Sequence, residues 1–283
     1  MTYQWYPGHM TKTMRQMKED LKLIDLVIEI ADARIPVSGR NPELGNLCGN
    51  KARIVIFGKA DLADERETAR WQEEFRKKGQ KTIFCDFRKN SIRKQLLPLI
   101  QEATREKAER DRKRGMKPRN VRAMVCGIPN VGKSTFINSF AGTAAAKTGN
   151  RPGVTKGRQW IHMGGGVELL DTAGVLWPKF EDQKTGLALA LVGSMPDDII
   201  DRGELVVDLI RVLKKRYPGI LNARYGCDES REMEAEIMAD IAARRGALKK
   251  GAEPDYEKVS RLILDDFRSG RIGRITLETA GES

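Results

Sequence analysis

The stretch RAMVCGIPNVGKSTFINSFAG, residues 122–142, carries the strongest structural signal in the chain. It begins as an apolar run, passes through the pattern Gly-x-x-x-x-Gly-Lys-Ser at 127–134, and continues with a helical spacing. Glycines in such a loop let successive backbone N–H groups point at phosphate oxygens, and the helix that follows adds its positive end. We call residues 127–134 the phosphate loop. The predicted nucleotide contacts are Asn130, Val131, Gly132, Lys133, Ser134 and Thr135.

Two side chains of this loop have distinct predicted roles. Lys133 is expected to reach the β- and γ-phosphates as a catalytic group, and the Ser134 hydroxyl is expected to bind Mg²⁺. A second contact for the metal is predicted downstream, in DTAG at 171–174. Asp171 closes an apolar run there and suits Mg²⁺, while Gly174 offers a backbone N–H to the γ-phosphate.

The segment RPGVTKG at 151–157 lies between these two motifs and indicates a mobile loop. Thr155 is placed to close over the Mg²⁺ when a triphosphate is bound. Its predicted role is therefore both catalytic and metal-binding. Without the flanking motifs, the same threonine would be only a loop hydroxyl.

If the chain has a base-reading loop, it must lie upstream, because only helical patterns follow residue 178. The stretch FGKADL at 57–62, which we call the guanine loop, follows an apolar run and precedes a helical pattern. Asp61 can accept hydrogen bonds from two N–H groups of guanine that adenine lacks, and the stem of Lys59 can pack over the base. The usual Asn-Lys-x-Asp has Gly58 in place of Asn, which removes roughly 1–3 kcal/mol of hydrogen bonding.

A second strand end, TIFCDF at 82–87, follows the guanine loop. A backbone N–H at Cys85 or Asp86 is predicted to meet the O6 atom of guanine. The base-reading motifs therefore precede the phosphate motifs, whereas an ordinary GTPase has them in the reverse order. A circular permutation explains this order, since it keeps spatial neighbours and moves only the termini.

The remaining apolar runs predict an α/β fold, a doubly wound sheet of the P-loop NTPase class. Predicted strands alternate with helices at 68–79 and 91–114, which indicates parallel βαβ units. The strands are predicted at 26–32, 52–58, 82–85, 122–127, 159–163 and 167–171. After Pro178 the patterns are helical only, so we predict a GTPase domain over 1–178 and a small helical domain over 179–283.

Charge and composition point to a soluble protein with a polyanionic partner. The 283 residues carry a net charge of +12, and residues 88–122 hold 13 Lys or Arg against 4 Asp or Glu. This basic run is either a solvated helix face or a footprint for nucleic-acid phosphates. No apolar run approaches the roughly 18 residues that span a membrane. The four cysteines form no Cys-x-x-Cys pair, which favours buried thiols in the cytoplasm.

Taken together, the motifs resemble one known family over nearly the whole chain. WYPGHM, DARIP with RNP, GKADL, GIPNVGKST, KTGNRPGVTKG and DTAGVLWPKFEDQ are similar, in this order, to the circularly permuted GTPases of the ribosome biogenesis GTPase A family. The resemblance implies GTP hydrolysis coupled to maturation of the bacterial large ribosomal subunit. It also implies a helical domain that contacts ribosomal RNA, action in the cytoplasm, no membrane partner, and a monomer off the ribosome.

The group that activates water is not evident from the motifs. The residues after DTAG are Val175 and Leu176, and apolar side chains cannot orient water. The resemblance suggests that His9, in WYPGHM, approaches the γ-phosphate on the ribosome, although a turn or an RNA contact is the alternative. His162, in a predicted strand, is interpreted as structural. In similar potassium-using GTPases an Asn at the position of Asn130 helps to hold K⁺, which gives this residue a second candidate role.

Three other functions compete with a GTPase switch. The first is an RNA-binding assembly protein in which the nucleotide is mainly structural, and the second is an ATP-using P-loop enzyme. Asp61 argues against ATP. A small-molecule kinase is disfavoured because the sequence has no segment that resembles a lid.

Overall fold

Strand β1 (Leu26–Asp32) is buried along its whole length and forms the middle of the sheet in the computed structural model. The structure describes residues 8–89, 92–141, 159–172, 176, 180 and 182–281. Five further strands complete the sheet: β2 Ala52–Gly58, β3 Thr82–Phe84, β4 Val121–Gly127, β5 Gln159–His162 and β6 Val167–Asp171. Their order is β3-β2-β1-β4-β6-β5, with β5 antiparallel to β6 and the other pairs parallel.

The strand register brings two predicted loops to one edge of the sheet. Gly58 at the end of β2 pairs with Asp32 of β1, and Gly127 at the end of β4 pairs with Ile30 of the same strand. The guanine loop and the phosphate loop therefore leave the sheet on either side of β1. This is the arrangement that a permuted P-loop sheet requires, so the predicted fold class is confirmed.

Helices cover both faces of the sheet. They are α1 Gly8–Leu21, α2 Glu43–Cys48, α3 Glu65–Lys77, α4 Ile92–Lys113 and α5 Lys133–Ala141, followed by α6 Gln183–Leu191, a 3₁₀ turn at Asp197–Ile199, α7 Arg202–Arg216, α8 Ile220–Tyr225, α9 Glu234–Arg245 and α10 Tyr256–Arg268. Strand β2 shows the two faces: Ile54 and Ile56 join the core that includes α4, while Phe57 stacks on Phe75 of α3 at 5.1 Å. This alternation is the period of two expected of a strand.

Two helices differ from the sequence-based prediction. Helix α3 begins at Glu65, three residues earlier than predicted, because the Asp64 side chain caps it by accepting from Arg66 N and Glu67 N. Helix α1 was not predicted, although Met10, Met14, Met17 and Leu21 have helical spacing and are buried. His9 therefore lies in the first turn of a helix rather than in a Pro-Gly turn.

The part of the chain after β6 is helical, as its patterns predict. Amphipathic helices α7, α9 and α10 bury apolar stripes that belong to the same core as the sheet. After α10, residues 274–278 return to the guanine-loop side of the sheet: Ile275 N donates to Leu62 O at 2.9 Å, and Leu277 N donates to Arg34 O at 2.8 Å. Within the described residues, every helix is too short or too polar to cross a bilayer.

Candidate functional site

The backbone of the phosphate loop requires glycine at two of its positions. Gly127 has φ +153°, and a Cβ there would lie 2.3 Å from the carbonyl oxygen of Ile30. Gly132 has φ +100°, and Asn130 between them has φ +58°. Both glycines are therefore required, the first because β1 passes so close and the second because of its left-handed backbone.

Lys133 opens α5 with its side chain folded back into the loop. The residue is buried, and its Nζ donates to Ile128 O at 2.9 Å and to Gly127 O at 3.3 Å. Burial lowers the pKa of Lys133 to about 8, while the charge of Asp171 acts in the opposite direction. A buried ammonium that donates to two carbonyl oxygens has the geometry to donate instead to the oxygens of the predicted phosphates. In the same turn of helix, Ser134 is half-buried and Thr135 is exposed, whereas Val131 is buried.

Asp171 lies at the end of β6, in register with Val125 of β4 and therefore beside the strand that leads into the phosphate loop. Its side chain is buried, and the next hydroxyl, Thr172 Oγ1, donates to Val125 O at 2.7 Å. A buried carboxylate and the Ser134 hydroxyl are hard oxygen donors of the kind that Mg²⁺ prefers. The donor set thus fits the predicted metal.

The guanine loop contacts the phosphate loop directly. Lys59, with φ +56°, donates from Nζ to Asn130 O at 3.1 Å and pairs with Asp32 Oδ2 at 3.0 Å. Ala60 N donates to Cys85 O at 3.3 Å, which attaches the loop to the turn that follows β3. Motifs about 70 positions apart thus form one site, in the order that a permutation predicts.

The predicted base-reading carboxylate has a cation beside it. Arg88 Nη2 lies 2.6 Å from Asp61 Oδ2, and Arg88 Nε lies 2.9 Å from Asp86 Oδ1. This hydrogen bond lowers the pKa of Asp86. The N–H of Cys85 donates to Phe57 O at 3.0 Å within the sheet. Of the turn predicted to read O6, the N–H groups of Asp86 and Phe87 are therefore the better candidates.

A buried ion pair beneath the guanine loop was not predicted as part of the site. Asp32 accepts from Arg34 Nε at 3.0 Å and Nη2 at 2.8 Å, and both side chains are 1% exposed. Burial alone would raise the pKa of Asp32, but the cations of Arg34 and Lys59 hold it well below its usual value of 3.8. Arg34 also lies over the Phe267 ring of α10 at 5.3 Å. The motif DARIP thus connects the guanine loop to the helical region.

We predict that Asp32→Asn lowers the free energy of unfolding by about 2–3 kcal/mol at neutral pH, since hydrogen bonds to a charged group contribute roughly 1.5–3 kcal/mol. The folded-state pKa is lowered, so this stability is present above 3.8 and is lost as pH falls through the folded-state value. Urea unfolding of wild type and Asp32→Asn at several pH values measures this difference in the free energy of unfolding.

A matched control is Asp111→Asn, whose carboxylate pairs with Lys107 at 2.8 Å on the surface of α4. This change is expected to leave the unfolding midpoint almost unaltered, because exposed pairs contribute little. Equal stability of wild type and Asp32→Asn at pH 7 would contradict the role given to the buried pair.

The helical region also touches the phosphate loop. Asn130 Nδ2 donates to Gly193 O, just after α6, at 2.8 Å. Arg268 of α10 donates to Leu191 O and Ala190 O at 3.0 Å each and pairs with Asp197 at 2.8 Å. The side chain proposed to hold K⁺ is therefore part of the contact between the phosphate loop and the helices.

The last described segment supports the guanine loop from outside. Arg274 donates from Nε to Ala63 O at 2.8 Å and from Nη2 to Ala60 O at 2.9 Å. The Thr276 hydroxyl accepts from Asp64 N at 3.0 Å. No periodic pattern in the sequence indicates these contacts, because a short irregular segment makes them.

Several predicted residues fall outside what the structure describes. Thr155 and Gly174 lie in undescribed segments, and of His9 only the backbone, in α1, is described. Leu176, which follows DTAG, is fully buried. His162 is exposed on strand β5, with Nδ1 3.3 Å from Glu168, away from the phosphate loop.

Comparisons with known proteins identify relatives along the whole chain. A family model described as 50S ribosome-binding GTPase matches residues 122–233. The chain is 44% identical to ribosome biogenesis GTPase A of Bacillus cereus, with 100% of this chain and 95% of the relative aligned. It is 35% identical to the protein of the same name from Thermotoga maritima, over 97% and 93% of the two chains. The crystal structure of GNP-bound YlqF from T. maritima aligns with a TM-score of 0.67 and 28% identity, covering 96% of this chain and 100% of that one.

Proposed function

The chain belongs to the ribosome biogenesis GTPase A family and is a GTP-hydrolysing factor of ribosome assembly, and from this premise we propose that it acts in maturation of the bacterial large ribosomal subunit and binds ribosomal RNA. The observation that carries the GTPase part of the proposal is the contact between its two loops, in which Lys59 Nζ donates to Asn130 O at 3.1 Å, and the ribosomal part is supported by the relatives. As such a factor the protein works in the cytoplasm, as a monomer when it is off the ribosome.

We assign the chemistry of hydrolysis to the edge of the sheet where the loops meet. The phosphate loop holds the β- and γ-phosphates with its backbone N–H groups, and Lys133 exchanges its two carbonyl partners for their oxygens. Ser134 and Asp171 would hold Mg²⁺, which when bound neutralises charge that develops on the phosphates. Asp61 reads the guanine base, and binding draws its carboxylate away from Arg88.

The remaining catalytic roles are proposals from the sequence. Thr155 and Gly174 respond to the γ-phosphate, and His9 positions the attacking water when the enzyme is on the ribosome. The burial of Leu176 supports the need for such an outside group. Asn130 would contribute to a K⁺ site, and equal turnover in Na⁺ and K⁺ buffers would count against this role.

An exposed basic segment supports RNA binding. Lys107 and Arg119 both pair with Asp25, at 3.2 and 2.7 Å, and Lys107 also pairs with Asp111 at 2.8 Å. Within the described ranges, four neighbouring exposed cations form no ion pair: Arg110, Arg112, Lys113 and Arg114. Because α4 runs from β3 to β4, this segment lies at the edge of the sheet opposite the nucleotide loops. It can therefore contact RNA phosphates without blocking GTP. We propose that residues 179–283 form a second, helical RNA-binding domain.

The contacts of the helices with both loops support a nucleotide-dependent switch. Asn130 with Gly193, and Asp32 with Arg34 and α10, connect phosphate and guanine loops to the helical region. A change at the γ-phosphate that moves these loops therefore also moves the helical region, which is the second proposed RNA-binding part of the chain.

We predict that purified large ribosomal subunits raise GTP turnover about a hundredfold, because stimulating partners in this class of enzyme complete the catalytic groups. Phosphate release is measured with large subunits, with small subunits as the matched control, and at several salt concentrations. His9→Ala is expected to keep basal turnover and lose the stimulation.

Three outcomes distinguish the competing functions. Binding to large subunits without stimulated turnover would favour an assembly protein in which the nucleotide is structural. Tighter binding of ADP than of GDP in a calorimetric competition would favour an ATP-using enzyme. Equal stimulation by both subunits would argue against a role specific to the large subunit.

A further inference from the structure

Gly58 stands at the first position of the guanine loop, where the usual motif has asparagine. Its backbone does not require glycine, because the residue ends strand β2 in register with Asp32 and has no left-handed φ. A side chain is nevertheless excluded. A Cβ built at Gly58 would lie 2.3 Å from Cε2, 2.7 Å from Cζ and 3.1 Å from Cδ2 of Phe87. The ring of Phe87 thus fills the volume that the missing side chain would occupy.

The same ring contacts the phosphate loop on its other side. A Cβ at Gly132 would lie 3.5 Å from Cδ2 and Cε2 of Phe87, which is ordinary van der Waals distance. Phe136 of α5, three residues after Lys133, packs against the ring with centroids 5.5 Å apart and planes at 60°. Phe87 is only 5% exposed. It therefore lies between the end of β2, the phosphate loop and the helix that this loop opens.

We infer that Phe87 replaces the absent asparagine as the brace between the two loops, and that it is a positioning residue for guanine binding. An asparagine braces through directional hydrogen bonds, whereas an aromatic ring braces by filling space and excluding water. Lys59 is the next residue after Gly58, and Asp61 is three positions after it. The packing of Gly58 against the ring therefore determines where both side chains meet the base. Gly58 and Phe87 form a complementary pair, in which either residue is acceptable only with the other.

This inference rests on the proposed reading of guanine by Asp61, and it accounts for a guanine loop that retains its geometry without asparagine. Lys59 Nζ still donates to Asn130 O at 3.1 Å, and Ala60 N to Cys85 O at 3.3 Å. The hydrogen bonds of the neighbouring residues are therefore made even though the first residue of the motif offers no side chain.

A double-mutant cycle tests the pair. The dissociation constants of GDP and ADP are measured by calorimetry for wild type, Gly58→Asn, Phe87→Ala and the double variant. Gly58→Asn forces a side chain into the ring, and Phe87→Ala removes the brace, so each is expected to weaken GDP binding about tenfold. The double variant regains room for the asparagine and is expected to bind GDP within about threefold of wild type, with the preference over ADP restored.

If the two losses of GDP affinity instead multiply, the double variant binds GDP about a hundredfold more weakly than wild type. That result would overturn the inference. Phe75→Ala is the matched control, since Phe75 is equally buried but packs on the opposite face of the sheet in α3. The loss of GDP affinity caused by Phe75→Ala should multiply with the loss caused by Gly58→Asn, so this double variant should show no rescue. If Phe87→Ala melts below the assay temperature, Phe87→Leu takes its place in the cycle.

The proposed reading of guanine by Asp61 and the role of Phe87 can be refuted separately. A wild-type protein that binds ADP as tightly as GDP would refute the proposed reading of guanine. A wild type that prefers GDP, together with a double variant that is not rescued, would refute only the role of Phe87.

Discussion

Lys133→Ala is expected to lower GTP turnover by about a thousandfold, which is the upper range for loss of one preorganised donor to developing charge. The ammonium lies inside the phosphate loop, donating to Ile128 O and Gly127 O, and alanine removes the cationic side chain that the loop itself offers to the phosphates. Phosphate release under saturating GTP, with and without large ribosomal subunits, measures the effect.

Lys133→Ala should lose activity without losing thermal stability. Burial lowers the pKa of Lys133 to about 8, so the charged form is unfavourable in the apo protein, and its removal is expected to preserve or raise the melting temperature. Lys107→Ala, which removes a half-exposed lysine from α4, is the control and should retain full basal turnover. Turnover of Lys133→Ala within tenfold of wild type would show that this side chain does not contact the reacting phosphates.

Asp61→Asn is expected to change which base the enzyme prefers. In the proposed site the carboxylate accepts from two guanine N–H groups, so loss of two charged hydrogen bonds is expected to weaken GDP binding about a hundredfold. Xanthine has a carbonyl where guanine has the amino group, so an asparagine amide can donate to it. We expect XDP to bind the variant about a hundredfold more tightly than it binds wild type, and competition calorimetry with GDP, XDP and ADP tests this.

Asp86→Asn separates base reading from the neighbouring ion pairs. Asp86 also pairs with Arg88, but its predicted contact with guanine is through the backbone, which the substitution leaves unchanged. This variant should therefore keep the preference of wild type for GDP. If Asp61→Asn still preferred GDP over XDP, the guanine loop would lie elsewhere in the chain.

The sheet could be predicted closely because its strands are buried runs with clear ends. The bounds predicted for β1, β2 and β6 are those that the structure has. Local side-chain contacts are harder to predict: the cap at Asp64 places the start of α3 three residues before the predicted one, whereas α4 runs through Pro98 and stays close to its predicted bounds. Helix α1 does have a signal in the sequence, because Met10, Met14 and Met17 follow a helical spacing and are buried.

The site could be predicted only as far as motifs determine it. The glycine pattern gives the phosphate loop, and the register of β1 with β2 and β4 brings the guanine loop beside it. Phe87 and Arg34 were missed for a different reason. Phe87 fills the volume left by Gly58, and Arg34 packs against the Phe267 ring of α10. Both contacts join residues far apart in the sequence, so no local spacing of residue types predicts them.

The segment at residues 274–278 was missed because it has no periodic pattern, yet it has a consequence for how the protein is made. Arg274 donates to Ala63 O and Ala60 O across 211 and 214 positions, and Asp64 donates to Thr276 across 212. During translation the guanine loop leaves the exit tunnel long before this clasp is synthesised. We expect the nascent chain to hold GTP only weakly until residues 274–278 have emerged, because the guanine loop lacks its supporting hydrogen bonds until then.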